Sequence, residues 1–253
     1  MIPTGNEERM RYDRVITGTF VNRPNRFVAE CMLGSDEIAV HVKNTGRCRE
    51  LLVPGAGVVL SESDNPERKY RYDLVAVYKG DLLVNMDSQA PNTVFMEWLE
   101  SEHPFGSGAV VHQEYTHGDS RFDFMVESPD GPALIEVKGV TLENDGFCRF
   151  PDAPTERGAK HLRGLRKALE EGYRTYVAFV IQMEGMKGFG PNRDTDPVFS
   201  SELDAAVEAG VGVLCLGCHV EEDSVSITHT VPFIRNRRLR SSWIPRDPSP
   251  RGP

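Results

Sequence analysis

The chain has 253 residues, of which 39% are hydrophobic and 26% charged, and these ordinary globular proportions exclude a mostly disordered chain, a collagen-like repeat and a disulfide scaffold. Its 29 basic and 38 acidic residues give a formal net charge of −9, which argues against nucleic-acid binding through bulk positive charge. A local basic groove or an acidic metal site stays compatible with this average. The length predicts two compact domains, with one large domain as the alternative.

The N-terminal segment lacks the features of a targeting signal. Its first 14 residues include Glu7, Glu8, Arg9 and Arg11 and contain no apolar stretch. No apolar run elsewhere approaches the roughly 20 residues that span a bilayer, so we expect a cytoplasmic protein without a membrane partner. In that reducing compartment the five cysteines are expected to be small core residues rather than halves of disulfides.

Short strands dominate residues 1–85. Six β-type runs alternate with turn residues, and helical periodicity is nearly absent. The runs span residues 15–21, 27–33, 38–42, 57–61, 72–78 and 82–85. Such a set favours a small closed barrel, because an open sheet would leave unpaired edges.

Five basic residues of this barrel are predicted to contact nucleic acid. Arg23 and Arg26 belong to a basic cluster near its start, whereas Arg47, Arg68 and Lys69 lie in polar loops between strands. Loops of this kind can grip a phosphate backbone with amides and cationic side chains. The alternative for the two loops is ordinary turn chemistry, because both contain the Asn, Asp, Gly or Pro typical of turns.

Residues 86–230 predict a second domain in which helices alternate with strands. The predicted order is a helix at 94–100, strands at 110–115, 121–127 and 133–140, a helix that follows an N-cap at Thr155 and ends near 171, a strand at 173–182, a helix at 201–209, and strands at 211–216 and 223–228. This order indicates a mixed sheet with helices on its faces. Residues 231–253, rich in arginine and proline, predict a flexible tail that either trails onto a phosphate backbone or is simply solvated.

The most specific cluster of reactive residues is Asp123 with Glu136 and Lys138. Side chains alternate along a strand, so Glu136 and Lys138 point to one side, and a neighbouring strand would bring Asp123 to them. Two carboxylates and an ammonium are the groups that Mg²⁺-assisted phosphodiester hydrolysis requires. The candidate for a third acid is Glu97 on the preceding helix, and Glu114 is a weaker one.

This motif alone does not decide the function, because an acid and a lysine two residues apart on a strand commonly form a surface ion pair. The order of the elements adds the needed information. Restriction-endonuclease-like nucleases typically have the order found here. This order is a helix with an acid, a strand, the Asp123 strand, the strand of Glu136 and Lys138, and then a helix.

The helix after Thr155 carries a further candidate phosphate site. Arg157 and His161 are four residues apart and share one helix face, so they are predicted to contact nucleic acid. The alternatives are solvated charges and a histidine packed against its neighbours, with Asp152 and Thr155 acting only as capping residues.

Cys215, Cys218 and His219 match the C-x-x-C-H pattern of c-type haem attachment. We expect no haem, because attachment requires export and the pattern continues an apolar strand. We also expect no zinc, because no second pair of ligands lies at suitable spacing.

Several motifs together resemble the sugar fermentation stimulation protein family, over roughly residues 14 to 228. The matching strings are NTG at 44–46, LLVPG at 51–55, SDNPERKYRYDLVAV at 63–77, APN at 90–92, SRFDF at 120–124, EVKGVTL at 136–142, FPDAPTERGAKHL at 150–162 and FVIQ at 179–182. The chain departs from the family pattern at Lys43, where we expect Pro, and at Cys48, where we expect Met.

The resemblance implies an α+β protein of two domains, an N-terminal OB-fold barrel followed by a restriction-endonuclease-like (PD-(D/E)xK) domain. It further implies non-sequence-specific DNA binding with a regulatory role in sugar (maltose) metabolism. The nuclease-type motif of the family then corresponds to Asp123, Glu136 and Lys138, with Glu97 as the helix acid.

Three functions are compatible with these observations. The first is a nuclease dependent on Mg²⁺ or Mn²⁺, in which Asp123, Glu136 and Glu97 hold the metal and Lys138 positions the water. The second is a non-catalytic DNA-binding regulator of sugar metabolism. The third is a sugar-binding protein, for which only Trp98 and Trp243 could stack on a sugar ring. The pairing of two subunits as a homodimer stays open.

Overall fold

The computed structural model describes residues 10–44 and 46–235, which form a barrel followed by a mixed sheet. A two-residue strand, β1 (Met10–Arg11), precedes the barrel. The next six strands are β2 (Val15–Asn25), β3 (Val28–Leu33), β4 (Asp36–Val42), β5 (Gly57–Glu62), β6 (Tyr72–Lys79) and β7 (Leu82–Asn85). Antiparallel pairs join β4 to β3, β3 to β2, β2 to β5 and β5 to β6, and a parallel pair between β4 and β6 closes a five-stranded ring. The predicted barrel is thus confirmed.

Strands β5 and β6 are buried on both faces, which explains their continuous apolar runs. Val58 and Leu74 point into the barrel, whereas Val59 and Val75 pack outward against the second part of the chain, and all four are fully buried. Cys48, the residue in place of the expected Met, is buried in the barrel core. The barrel is therefore fixed to its neighbour by an apolar interface.

The second part contains three helices and nine strands within the described residues. In chain order they are α1 (Ala90–Glu102), β8 (Val110–His117), β9 (Ser120–Glu127), β10 (Ala133–Val140), β11 (Leu142–Asn144), β12 (Phe147–Phe150), α2 (Glu156–Glu170), β13 (Arg174–Ile181), β14 (Gly188–Pro191), α3 (Pro197–Ala209), β15 (Gly212–Val220) and β16 (Ser224–Thr230).

A seven-stranded mixed sheet has the order β1-β16-β15-β13-β10-β9-β8. Its centre, β10, β13 and β15, is parallel, and antiparallel strands flank the centre on both sides. Phe95 and Leu99 of α1 pack on one face, and Leu162 of α2 and Leu203 of α3 pack on the other. The predicted mixed sheet with helices on its faces is confirmed.

Three helix starts show how capping positions the elements. Thr155 is the N-cap of α2, as predicted, because its Oγ1 accepts a hydrogen bond of 3.0 Å from the amide of Gly158. The helices α1 and α3 begin four residues earlier than predicted, since Pro91 and Pro197 fit their first turns. None of the described helices combines the length and apolar character needed to cross a membrane.

Four strands were not predicted. One is β1, which pairs with β16 and so adds an edge to the second sheet. The others, β11, β12 and β14, form a separate three-stranded sheet beside the barrel. Asp152, expected to be a capping residue, lies in the loop after β12 and accepts a hydrogen bond of 2.9 Å from the amide of Arg47. The capping alternative does not hold for Asp152, because its carboxylate joins this loop to the barrel instead of capping α2.

A buried polar network also joins the two parts of the chain. The carboxylate of Asp87, fully buried, accepts hydrogen bonds from Lys43 Nζ at 2.6 Å and from the amide of Gln89 at 2.9 Å. Gln182 Nε2, at the end of β13, donates to the carbonyl of Asp87 at 3.0 Å and to Asn85 Oδ1 at 2.8 Å. These bonds fix the linker that leads directly into α1.

Arg68, predicted to contact nucleic acid, is held inside the barrel structure by Asp73. Its Nη1 and Nη2 each donate to the Asp73 carboxylate at 2.8 Å, and His41 Nδ1 lies 2.8 Å from the same carboxylate. Burial raises the pKa of Asp73, but the hydrogen bonds from Arg68 and His41 outweigh burial and hold that pKa below its ordinary value. The Arg68 guanidinium is thus committed to a structural ion pair.

This arrangement predicts a loss of stability in acid that depends on Asp73. Because the folded pKa lies below the unfolded value of about 3.9, the contribution is fully present above that pH and is lost as the pH falls through the folded pKa. We expect Asp73→Asn to unfold at lower urea than wild type at neutral pH, and to lose less stability on acidification. Urea unfolding at several pH values measures both effects, with the exposed Asp36→Asn as control. Parallel stability profiles for Asp73→Asn and wild type would contradict the prediction.

Candidate active site

The candidate site forms where β9 and β10 diverge. The two strands pair from Val126 opposite Ala133 to Phe124 opposite Ile135, and the pairing ends there. Just beyond it, Asp123 Oδ2 accepts a hydrogen bond of 2.7 Å from the amide of Val137. The carboxylate replaces the backbone partner that this amide loses, which fixes Asp123 beside β10.

Asn92, in the first turn of α1, is the second partner of Asp123. Its Nδ2 donates to Asp123 Oδ1 at 3.0 Å, so both carboxylate oxygens of Asp123 have a defined donor. The sequence analysis did not identify this role, although residue 92 belongs to the APN string at 90–92. Placement of Asp123 thus depends on the start of α1 as well as on β10.

Glu136 and Lys138 project together from β10, as their alternation predicts. Glu136 is only 2% exposed, and its Oε1 is contacted by Lys138 Nζ and by Nδ1 of His161 from α2. Its second oxygen, Oε2, is buried and has no hydrogen-bond partner among the described residues. A buried carboxylate oxygen without a partner is costly unless a cation or a ligand donor satisfies it.

The pKa values of the two carboxylates are shifted in opposite directions. Burial raises the pKa of Asp123, and the negative charge of Glu136 raises it further. Burial also raises the pKa of Glu136, but the Lys138 ammonium and the contacts with His161 outweigh burial and hold this pKa below its ordinary value. The surroundings of Glu136 therefore favour its ionised form. The ionised form of Asp123 is disfavoured unless further positive charge, such as a bound cation, lies close to it.

The predicted third acid is not brought into a ligand set with these two. Within residues 10–44 and 46–235, no group of three or more His, Cys, Asp or Glu side chains is placed to hold a metal ion. Glu97 is half-buried on α1, five residues and so about 140° around the helix from Asn92. Glu114 is exposed on β8, 3.4 Å from Arg121 Nη1. The predicted trio is thus not assembled, and participation of Glu97 stays a prediction.

The predicted nucleic-acid contacts fall into two groups. Arg23 donates to four loop carbonyls at 2.7 to 2.9 Å and so, like Arg68, supports the barrel. The residues whose side chains are exposed are Arg26, Arg47, Lys69 and Arg157. His161 was predicted to lie with Arg157 on a phosphate-binding surface, but it is buried beside Glu136, because its face of α2 packs on the sheet.

Two further sequence patterns have structural roles. Cys215 and Cys218 are buried in β15 and belong to opposite cores, so their thiols face away from each other across the sheet. Trp98, considered for sugar stacking, packs against Phe95 with 5.4 Å between ring centroids. Trp243 lies outside the described residues.

A groove of about 330 Å³ lies between the barrel and the second sheet. Asn44 of the barrel, Pro91 of α1, Gly139 of β10 and Asp152 line it. A side chain at Gly139 would place its Cβ 2.7 Å from Pro91 Cγ and 2.6 Å from Gln182 Oε1. Only glycine allows α1 to approach β10 this closely, and Pro91 and Gly139 in the groove lining are the chain neighbours of Asn92 and Lys138.

Two family models match the chain. The model described as the SfsA N-terminal OB domain matches residues 21–86, and the model described as the sugar fermentation stimulation protein RE domain matches residues 89–224. Both agree with the barrel and the mixed sheet, so the predicted fold class is confirmed.

Relatives of known sequence or structure match nearly the whole chain. A sugar fermentation stimulation protein homolog of Desulfitobacterium hafniense is 50% identical over 216 residues, covering 85% of this chain and 94% of that protein. One of Clostridium beijerinckii is 47% identical and covers 89% of this chain and 100% of that protein. The solved structure of Pyrococcus furiosus SfsA in complex with Ca²⁺ has a TM-score of 0.82 and 25% identity, covering 90% of this chain and 99% of that one.

Proposed function

This chain belongs to the sugar fermentation stimulation protein family, and from that premise we propose that it binds nucleic acid without sequence specificity and hydrolyses phosphodiester bonds with a divalent metal ion. The observation that carries the proposal is the buried, unpartnered Oε2 of Glu136 beside Asp123 and Lys138. A buried carboxylate oxygen that no described residue satisfies is suited to a cation. The substrate proposed is DNA, and RNA is tested beside it.

The donor set fits Mg²⁺ or Mn²⁺. Asp123 and Glu136 would hold the ion through hard carboxylate oxygens, which suit these metals. Mg²⁺ is commonly bound by one or two protein carboxylates, with water and substrate phosphate as its other ligands, so a third acid is not required. The Ca²⁺ in the related Pyrococcus furiosus structure supports a hard divalent ion at a site of this family.

The residues of the chain then have separate roles. When bound, the metal supplies Lewis acidity toward the phosphoryl oxygens. Lys138 holds a positive charge where the phosphate gains negative charge in the transition state. Asn92 fixes the orientation of Asp123, and His161 fixes that of Glu136, so neither carboxylate has to reorganise during the reaction.

Nucleic-acid binding is supported by exposed cations in an acidic chain. Arg26, Arg47, Lys69 and Arg157 are exposed, and an OB-type barrel commonly binds strands through its loops. Contacts of this kind address phosphates rather than base edges, so affinity should fall steeply with salt and depend little on sequence.

Cleavage assays on end-labelled single-stranded DNA, duplex DNA and RNA test the proposal directly. With Mg²⁺ or Mn²⁺ we expect cleavage that co-elutes with the protein during purification and disappears in EDTA. Cleavage at many sequences is expected, because the binding is non-specific. Cleavage that does not need a metal ion, or cleavage activity that elutes separately from the protein during purification, would contradict the nuclease proposal.

A non-catalytic DNA-binding regulator of sugar metabolism is the second candidate. It is favoured by the contacts of Lys138 and His161 on the same Glu136 oxygen, and by the lack of a three-donor metal group within the described residues. Salt-sensitive binding of DNA without cleavage in any metal would support this candidate over the nuclease.

A further inference from the structure

A second cavity lies on the α2 side of the sheet, away from the groove. It measures about 180 Å³ and lies between α2 and the turn that joins β8 to β9. Lys160, Arg163 and Lys167 line it from the helix, and His117 and Ser120 line it from the strands. Asp119 is the only acidic residue in its lining, so three cations face one carboxylate.

The cationic side chains of this cavity differ in whether an acidic residue pairs with them. Arg163 Nη1 donates to Glu202 at 2.9 Å, so its charge is shared with α3. Lys160 and Lys167 are exposed and form no ion pair within the described part of the chain, in which most lysines have an acidic partner or an aromatic ring. Two uncompensated ammonium groups on a protein of net charge −9 indicate a site for an anion.

A buried hydroxyl opens into the same cavity. Ser120 is 7% exposed, and its side chain makes no hydrogen bond with any residue that the structure describes. Gly164, between the two lysines on the helix, gives the cavity its depth. A Cβ at residue 164 would lie 2.9 Å from Ser120 Oγ and 3.2 Å from Phe122 Cζ, and would close the space beneath the lysines. Glycine inside a helix lowers helix stability by about 1 kcal/mol relative to alanine. At residue 164 this loss of stability is accompanied by the open space of the cavity.

The cavity has a fixed relation to the candidate active site. Ser120 precedes Asp123 by three residues on β9, a separation of about 10 Å at 3.3 Å per strand residue. This separation is short enough for one nucleic-acid strand to reach both places. Arg157, one turn before Lys160 on α2, is exposed and lies with its Nε 3.5 Å from Nε2 of His161, the residue that contacts Glu136.

We infer that the α2 cavity binds a backbone phosphate of the same nucleic-acid strand whose scissile phosphate lies at Asp123 and Glu136. Lys160 and Lys167 supply the charge, Ser120 supplies a hydroxyl donor, and Arg157 adds an exposed cation at the Glu136 end. The inference rests on the proposed function for the identity of the strand, and it assigns that strand a direction along α2.

The test is the salt dependence of binding to a fluorescent single-stranded oligonucleotide in EDTA. Each of Lys160→Ala and Lys167→Ala removes one phosphate contact, so the slope of log K against log salt should fall by about 0.7, which corresponds to about fivefold weaker binding near 0.1 M salt. Lys187→Ala is the matched control, because Lys187 is also an exposed lysine without an ion pair in the described residues. Asp119→Asn should strengthen binding, since it removes the opposing charge.

A second arm separates a backbone phosphate from a terminal one. The oligonucleotide is used with a 5′-phosphate and with a 5′-hydroxyl, and inorganic phosphate is added as competitor. Equal losses for both oligonucleotides support the inference. A loss confined to the 5′-phosphorylated strand, or lysine variants no weaker than Lys187→Ala, would overturn it.

Metal-dependent cleavage, measured separately, keeps this inference distinct from the nuclease proposal. Cleavage by wild type together with unaffected binding by the lysine variants would contradict the phosphate site in the α2 cavity but not the nuclease proposal. Binding that depends on the lysines without any cleavage would support the phosphate site in the α2 cavity and contradict the nuclease proposal. No binding of nucleic acid by wild type would overturn both.

Discussion

Replacing Lys138 with Met is expected to lower the rate of metal-dependent cleavage at least about 100-fold, the size of effect found when one charge-stabilising donor is removed from an active site. Met is an unbranched side chain only one atom shorter than Lys, and it removes the charge that faces Glu136 at the site. Single-turnover cleavage measures the chemical step, and anisotropy measures the affinity for the oligonucleotide. We expect the rate to fall and the affinity to change little, because Lys138 is half-buried at one point of a long contact surface.

Two comparisons make this result specific. Lys187→Met carries the same chemical change at an exposed position and should cleave like wild type. Asp123→Asn should also abolish cleavage, but unlike Lys138→Met it should lower the affinity for Mn²⁺, because it removes a proposed metal ligand rather than a positive charge. Thermal unfolding of each variant checks that the fold persists. Wild-type cleavage by a folded Lys138→Met would show that the residue has no part in the chemistry.

The parts of the fold that follow from the sequence are the long elements. The five strands of the closed ring, β2 to β6, and the central strands β10, β13 and β15 each have at least six residues, enough to display an apolar run or alternation. The strands β1, β11, β12 and β14 have two to four residues, too few for any period. They exist because neighbouring backbone pairs with them, which is a tertiary effect that no local pattern contains.

The same distinction applies to the site. Alternation on β10 places Glu136 and Lys138 on one side, and the antiparallel neighbour β9 brings Asp123 to them. The roles of Asn92 and His161 depend on how α1 and α2 pack across the sheet, which the sequence does not specify. Arg23 is a case in which the sequence was misleading. Its charge suggested a contact with nucleic acid, but its guanidinium donates hydrogen bonds to loop carbonyls that come together only in the folded barrel.

The largest effect on stability is expected at Lys43, the position where the family resemblance predicts proline. Lys43 Nζ lies 2.6 Å from the carboxylate of Asp87, whose side chain is fully buried. Removing one partner of a buried ion pair typically costs about 3–5 kcal/mol, because the other charge is left without compensation. We therefore expect Lys43→Met to lower the free energy of unfolding by about 3 kcal/mol, measured by urea denaturation.

The sign of a second substitution tests this explanation. Asp87→Asn keeps an oxygen that can accept from the amide of Gln89 and removes the buried charge, so Lys43→Met/Asp87→Asn should be more stable than Lys43→Met alone. The exposed pair of Arg71 and Glu62 in the same barrel is the control, and Arg71→Met should change stability far less. A double variant less stable than Lys43→Met would mean that the position tolerates no uncharged pair.

The same pair links the stability of the junction to the site. Asp87 precedes α1 by three residues, and Asn92 in the first turn of that helix orients Asp123. A loosened linker would let Asn92 move while β10 keeps Glu136 in place, so Lys43→Met should reduce cleavage at temperatures where the protein is still folded. The double variant should recover part of that activity together with its stability. Recovery of stability without recovery of cleavage would mean that α1 is positioned by its packing on the sheet, through Phe95 and Leu99, and not by the ion pair.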